Sequence, residues 1–127
     1  MNTLLKKGFF RLAKNVSRYS NHRYRMGAVI ARKKPISIGF NFIKTHPKYS
    51  NPNKTKSVSI HAEISAIIRA YDDDLTGAVM YIYRENLRGE PAIAKPCDEC
   101  MRLLKVSGIK KIIYTIDTKP FWKEERI

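Results

Sequence analysis

Near the start of the chain, Leu5, Phe9, Leu12, Ala13 and Val16 recur at helical spacing, with Lys6, Lys7, Arg11, Lys14 and Arg18 on the other faces. This pattern predicts an amphipathic helix over residues 3–19, stopped at Ser20-Asn21-His22. The period then shortens. Gly27 to Ala31 is a brief apolar run, Arg32-Lys33-Lys34-Pro35 is a turn, and Ile36 to Phe42 alternates, which together predict an antiparallel hairpin. Residues 43–59 carry Pro47, Pro52 and four lysines and read as a long polar loop. Ile64, Ala66, Ile67, Ile68 and Tyr71 give a second helix, closed by a solvated turn at Asp72-Asp73-Asp74. A strand over Ala78–Tyr83, a charged connection from Arg84 to Glu90, a helix from Cys97 to about Ser107 and a strand over Lys111–Ile116 complete the pattern. Gly108 stops that third helix. The tail, with Pro120, Phe121 and Trp122, is too short for another strand–helix pair. Strands alternating with helices predict an α/β sandwich, mostly parallel beyond the first hairpin, in one domain over 1–127.

Composition adds to this picture chiefly through charge. The net charge of +14 is unevenly placed: residues 1–60 hold 14 Lys and Arg and no Asp or Glu, whereas the rest holds 11 of each sign. So lopsided a chain predicts a partner that carries phosphate, against the plainer reading of a solvated basic face. At 127 residues with 43% hydrophobic residues, a core forms without disulfide staples. No apolar run is long enough to span a bilayer. The first residues lack a signal-peptide pattern, so a cytoplasmic protein with no membrane partner is expected.

Both cysteines, Cys97 and Cys100, lie in one C-x-x-C. Residues three apart on a helix face the same way, so both sulfurs reach one ion from the first turn. Unpaired N–H groups at a helix start favour thiolate over thiol. His61 opens the other helix and offers a third ligand, and Glu63 follows it by two residues. One imidazole and two thiolates are the ligand set of an open zinc site with a position left for water. A carboxylate near but off the metal is placed to move protons. The chemistry this suits is hydrolytic replacement of an exocyclic amine on an aromatic base. The C-x-x-C alone would also fit a zinc knuckle or a redox pair. Asp98 and Glu99 oppose a reactive thiolate, and a closed site would need His22 or His46 as fourth ligand.

H-x-E followed by P-C-x-x-C is the pattern of the zinc nucleobase deaminases. From about Phe9 to Ile116 the chain resembles the cytidine/deoxycytidylate deaminase superfamily. Met26-Gly27-Ala28-Val29-Ile30 is similar to its first strand, Ile38-Gly39-Phe40-Asn41 to its second, and Gly108 to Tyr114 to the run into its fourth. The resemblance implies a three-layer α/β/α sandwich, its mixed sheet opening on an N-terminal antiparallel hairpin. It implies Zn2+ on His61, Cys97 and Cys100, Glu63 as proton shuttle, Asn41 on the substrate sugar, and Ala62 in the pocket floor through its backbone. Three departures stand out: no second zinc site, Lys95 where relatives commonly carry Glu or a small acceptor, and a long 84–95 stretch. The fifth strand and last helix read as missing or vestigial, which weakens the usual contacts of a possible oligomer.

The first expectation for the substrate is a pyrimidine nucleotide, a (deoxy)cytidine nucleotide deaminated to its uridine form. Arg23, Arg25 and the Lys44–Lys56 loop would hold its phosphate, with Tyr24 beside them. The second is a single-stranded DNA or RNA, with cytosine or adenine as target, lying along basic residues 1–60 and stacking on Tyr19, Tyr24 or Tyr49. Phe40 and Phe42 are expected in the core. The third is a zinc-stabilised nucleic-acid-binding module without catalysis, against which Glu63 speaks.

Overall fold

A computed structural model describes residues 3–21, 24–44, 58–71 and 73–127. In chain order these form α1 (Thr3–Ser17), β1 (Met26–Ala31), β2 (Pro35–Phe40), β3 (Phe42–Lys44), β4 (Val58–Ile60), α2 (Ala62–Ala70), β5 (Val79–Arg84), α3 (Asp98–Val106), β6 (Lys111–Thr115) and β7 (Trp122–Arg126). The main sheet runs β2-β1-β5-β6-β7, and β3 pairs with β4 alone. His22, Arg23, His46, Lys48, Tyr49, Lys54, Lys56 and Asp72 lie outside the described residues.

Three layers follow from strict alternation along the strands. Ala28 and Ile30, Met80 and Ile82, and Ile112 and Tyr114 face α2 and α3, packing on Ala62, Ala66, Ala70 and Leu104. Their neighbours Val29, Ala31, Tyr81, Tyr83 and Ile113 face α1, packing on Phe9 and Ala13. A strand buried on both sides must be apolar throughout, which is why the central strands read as runs rather than alternations. Each helix layer seats closely on one glycine. A Cβ on Gly27 would lie 2.0 Å from Ala13 O of α1, and one on Gly39 would lie 2.2 Å from Ala66 N of α2.

The mixed sandwich with its opening hairpin is as expected, but three details differ. The sheet is not mostly parallel beyond the hairpin: β1 is antiparallel to both β2 and β5, and β7 to β6, leaving β5–β6 as the parallel pair. A parallel neighbour needs a long crossover, which α3 supplies between β5 and β6; the short link after β6 turns the chain straight back. The tail therefore supplies a fifth strand, β7, that its polar sequence Trp122-Lys123-Glu124-Glu125-Arg126 conceals. Phe40 and Phe42 are half-buried and outside both cores. Phe40 ends edge strand β2 and Phe42 starts β3, their rings 5.8 Å apart, with Tyr19 6.0 Å and the Arg69 guanidinium 4.6 Å from the Phe40 ring. The expected strand over 36–42 breaks at Asn41 between them.

Candidate active site

His61 and Cys97 are the N-cap residues of α2 and α3, both in extended backbone, and neither side chain caps its own helix. Those side chains are thereby left to meet each other. His61 Nδ1 lies 3.3 Å from Cys100 Sγ and 3.9 Å from Cys97 Sγ, and the three donor atoms fall within 4.8 Å of one another. In a tetrahedral zinc site, metal–ligand lengths of about 2.3 Å to sulfur and 2.0 Å to nitrogen put N and S about 3.5 Å apart. The observed separations bracket that edge. Cys100 is buried while His61 and Cys97 are exposed, so the cluster opens on one side.

Glu63, in the first turn of α2, is 2% exposed. Burial pushes its carboxyl above the usual range, partly offset by its own backbone N–H, by His61 and by Cys100. Burial also pushes the Cys100 thiol up, reinforced by the nearby Glu63 charge. Glu63 Oε1 has no hydrogen-bond partner among the described residues. A buried carboxylate oxygen left bare is costly in a finished protein interior. Bare here, beside three soft donors, it fits a site that takes a divalent cation and a polar ligand. A cation would also offset the burial of the Cys100 thiol by holding it as a thiolate.

The cluster forms one end of a cavity of about 260 Å³ lined by His61, Glu63, Cys97, Asn41, Tyr24 and Met26 on one side and Arg84, Ile93, Ala94 and Lys95 on the other. Asn41 is buried and mostly committed. Its Oδ1 accepts from Met26 N at 2.8 Å and from the Ser20 hydroxyl at 2.7 Å, and its Nδ2 donates to Tyr24 O at 2.5 Å. One N–H remains free of any partner among the described residues. Tyr24 is 42% exposed with the Arg84 guanidinium over its ring at 5.5 Å. Arg25 is exposed and outside the lining; Ala62 is fully buried in the core and also outside it.

Arg84 and Lys95 are the two cations of the lining, and neither was assigned a role at the site from the sequence. They end the 84–95 stretch, which is tied down rather than loose. Arg84 N donates to Thr115 Oγ1, that hydroxyl donates to Ala92 O, Ala92 N donates to Arg84 O, and Ala94 N donates to Thr115 O. Arg84 Nη1 reaches Ile93 O at 3.1 Å, and Lys95 Nζ lies 3.5 Å from Glu125 of β7. The tip, residues 86–90, closes on itself: Asn86 Oδ1 accepts from Arg88 N and Glu90 N, and Gly89 takes φ 78°. The signal in the sequence was Lys95 itself, a cation two residues before Cys97.

Among the described residues, no helix is long and apolar enough to cross a membrane. The chain is similar to two phage proteins named deoxycytidylate deaminase. That of Mycobacterium phage D29 is 35% identical over 60 residues, covering 47% of this chain and 39% of the relative. That of Enterobacteria phage T4 is 30% identical over 112 residues, covering 76% of this chain and 50% of the relative. The chain thus spans half or less of the length of these two. Among solved structures, the dCMP deaminase of cyanophage S-TIM5, in complex with dCMP and dUMP, superposes with a TM-score of 0.70 at 20% identity, covering 94% of this chain and 86% of that one. That likeness establishes the fold. Residues 5–116 match the cytidine and deoxycytidylate deaminase zinc-binding region, and with its donor cluster inside that span, the chain belongs to this zinc-binding deaminase family.

Proposed function

We propose that residues 1–127 act as one deaminase domain that hydrolyses a cytosine nucleotide, deoxycytidylate foremost, to the uridine nucleotide and ammonia. The observation that carries this is Glu63: a buried carboxylate with a bare oxygen beside the His61, Cys97 and Cys100 donors, at the end of a cavity. The names of the phage relatives support the substrate. His61, Cys97 and Cys100 would hold zinc, and when bound it supplies the Lewis acidity that makes water a nucleophile near neutral pH.

The work of the chain itself is proton transfer and positioning. Water oxygen adds to the ring carbon that bears the amine, and the C–N bond then breaks to release ammonia. Glu63 takes the proton from water, passes it to the ring nitrogen and returns one to the departing amine. Burial suits it to this task, since a carboxylate made more basic holds a proton longer. The remaining Asn41 N–H is a donor for a sugar hydroxyl. Arg84, fixed by Tyr24 and Ile93 O, and Lys95 place two cations at the cavity wall for the phosphate. Thiols used as ligands suit a reducing, cytoplasmic setting.

A polynucleotide as the deaminated substrate has less support. Among the described residues, the cations of 1–60 fall in separate places: along α1 and its exit, at Arg25, at Arg32-Lys33-Lys34 at the far end of β1, and at Lys44 on β3. They form no track into the cavity. The test is uridine formation from dCMP by the zinc-loaded protein beside Glu63→Gln. Turnover that disappears in the variant supports the reading; no turnover with zinc held overturns it.

A further inference from the structure

A nucleotide monophosphate engages two or three cations, so the catalytic reading leaves most of the basic half unused. Part of it is gathered on the opposite face of the sheet. Arg11, Lys14 and Arg18 stand at i, i+3 and i+7 along one side of α1 and its exit. All three are exposed, and none has an ion-pair partner among the described residues. They line a groove of about 410 Å³, larger than the catalytic cavity, to which Phe121 and Trp122 also contribute. Phe121 is 41% exposed, a large ring left open to solvent beside a row of cations.

We propose that this groove binds single-stranded nucleic acid, with the phosphates on Arg11, Lys14 and Arg18 and a base against Phe121 and Trp122. Seven helical residues put the outer cations about 10 Å apart. A single strand freed from the duplex lays its phosphates further apart than the duplex rise, so the row reaches about two of them. Cations along a backbone with an aromatic platform beside them are the two parts of strand binding without sequence preference. A duplex keeps its base faces stacked and would leave the rings idle. An acidic peptide would use the cations but has no need of the open ring. The groove lies outside the catalytic lining, so this proposal stands or falls apart from the deaminase reading.

The test is fluorescence anisotropy of a labelled oligothymidylate of about 12 nucleotides, which has no cytosine to deaminate, on the zinc-loaded protein across a salt series. Arg11→Gln, Lys14→Gln and Arg18→Gln together are expected to weaken binding roughly tenfold or more and to flatten the salt slope by about 2 to 3. Phe121→Ala is expected to weaken it roughly fivefold or more with the slope kept. Arg32→Gln, Lys33→Gln and Arg25→Gln remove the same charge elsewhere and are expected to change it less than about threefold. Thermal melts of each variant confirm folding, since every replaced residue is exposed. Equal losses in both triple variants, displacement by polyglutamate as readily as by unlabelled oligonucleotide, or no binding at low salt would each overturn the proposal.

Discussion

The cavity and the groove lie on opposite faces of the same end of the sheet, parted by β5 and β6. Tyr83 lines one and Arg84 the other. They differ in how their polar groups are held. In the cavity, Glu63 and Cys100 are buried, Asn41 is bonded three ways, and the candidate donors start two helices whose positions the core sets. In the groove, three long cations stand in water along one helix and its exit. Buried groups that constrain one another give strong, geometry-dependent effects when changed; exposed charges give weaker effects that salt erases.

The sharpest test of that contrast is Glu63→Gln. Turnover is expected to fall about 10²- to 10⁴-fold with zinc content unchanged, read by kinetics and metal analysis. Because the bare carboxylate is a burden to the folded chain, the same variant is expected to melt higher than the parent when both are metal-free. Replacing Cys100 with Ser comes next: bound zinc is expected to be lost, and with it turnover and the rise in melting temperature that zinc gives the parent. Retained zinc would mean that the buried thiol is no ligand.

Two glycine substitutions set the faces against each other. Gly39→Ala and Gly27→Ala each drive a methyl into a helix backbone, with an expected loss of about 1–3 kcal/mol in denaturant titrations. Gly39→Ala shifts α2, so turnover per folded molecule should drop as well. Gly27→Ala shifts α1, and turnover should hold. Equal losses of turnover would show that the faces are mechanically coupled. Arg84→Gln is smaller still: KM for dCMP is expected to rise about tenfold, near 1.4 kcal/mol, with deoxycytidine unaffected. Last is Lys95→Gln, which removes one side of a partly exposed pair with Glu125 and should change stability by less than about 1 kcal/mol.

The candidate donor cluster and its carboxylate were legible because they are local. His61 with Glu63, and Cys97 with Cys100, each fall within one helical turn, so spacing alone carries their geometry. The hairpin and both central strands were legible for a similar reason, their apolar runs being set by burial on two faces. What escaped reading depends on distant partners. Arg84 and Lys95 reach the cavity because Thr115, on another strand, ties their connection in place. Strand β7 escaped because an edge strand half in water needs few apolar residues. Asn41 was visible as a candidate, but its commitment to Ser20, Met26 and Tyr24 depends on three positions brought in from outside the β2–β3 segment.

The connection between β5 and α3 has a bound base and a self-contained tip. Thr115 and the backbone bonds of Ala92 and Ala94 hold the base, while residues 86–90 are exposed and bonded to one another. Length can therefore be added at Arg88-Gly89 without pulling on the cavity wall. That makes the tip a natural attachment point for a reporter dye or a grafted peptide, within sight of the site yet not part of it.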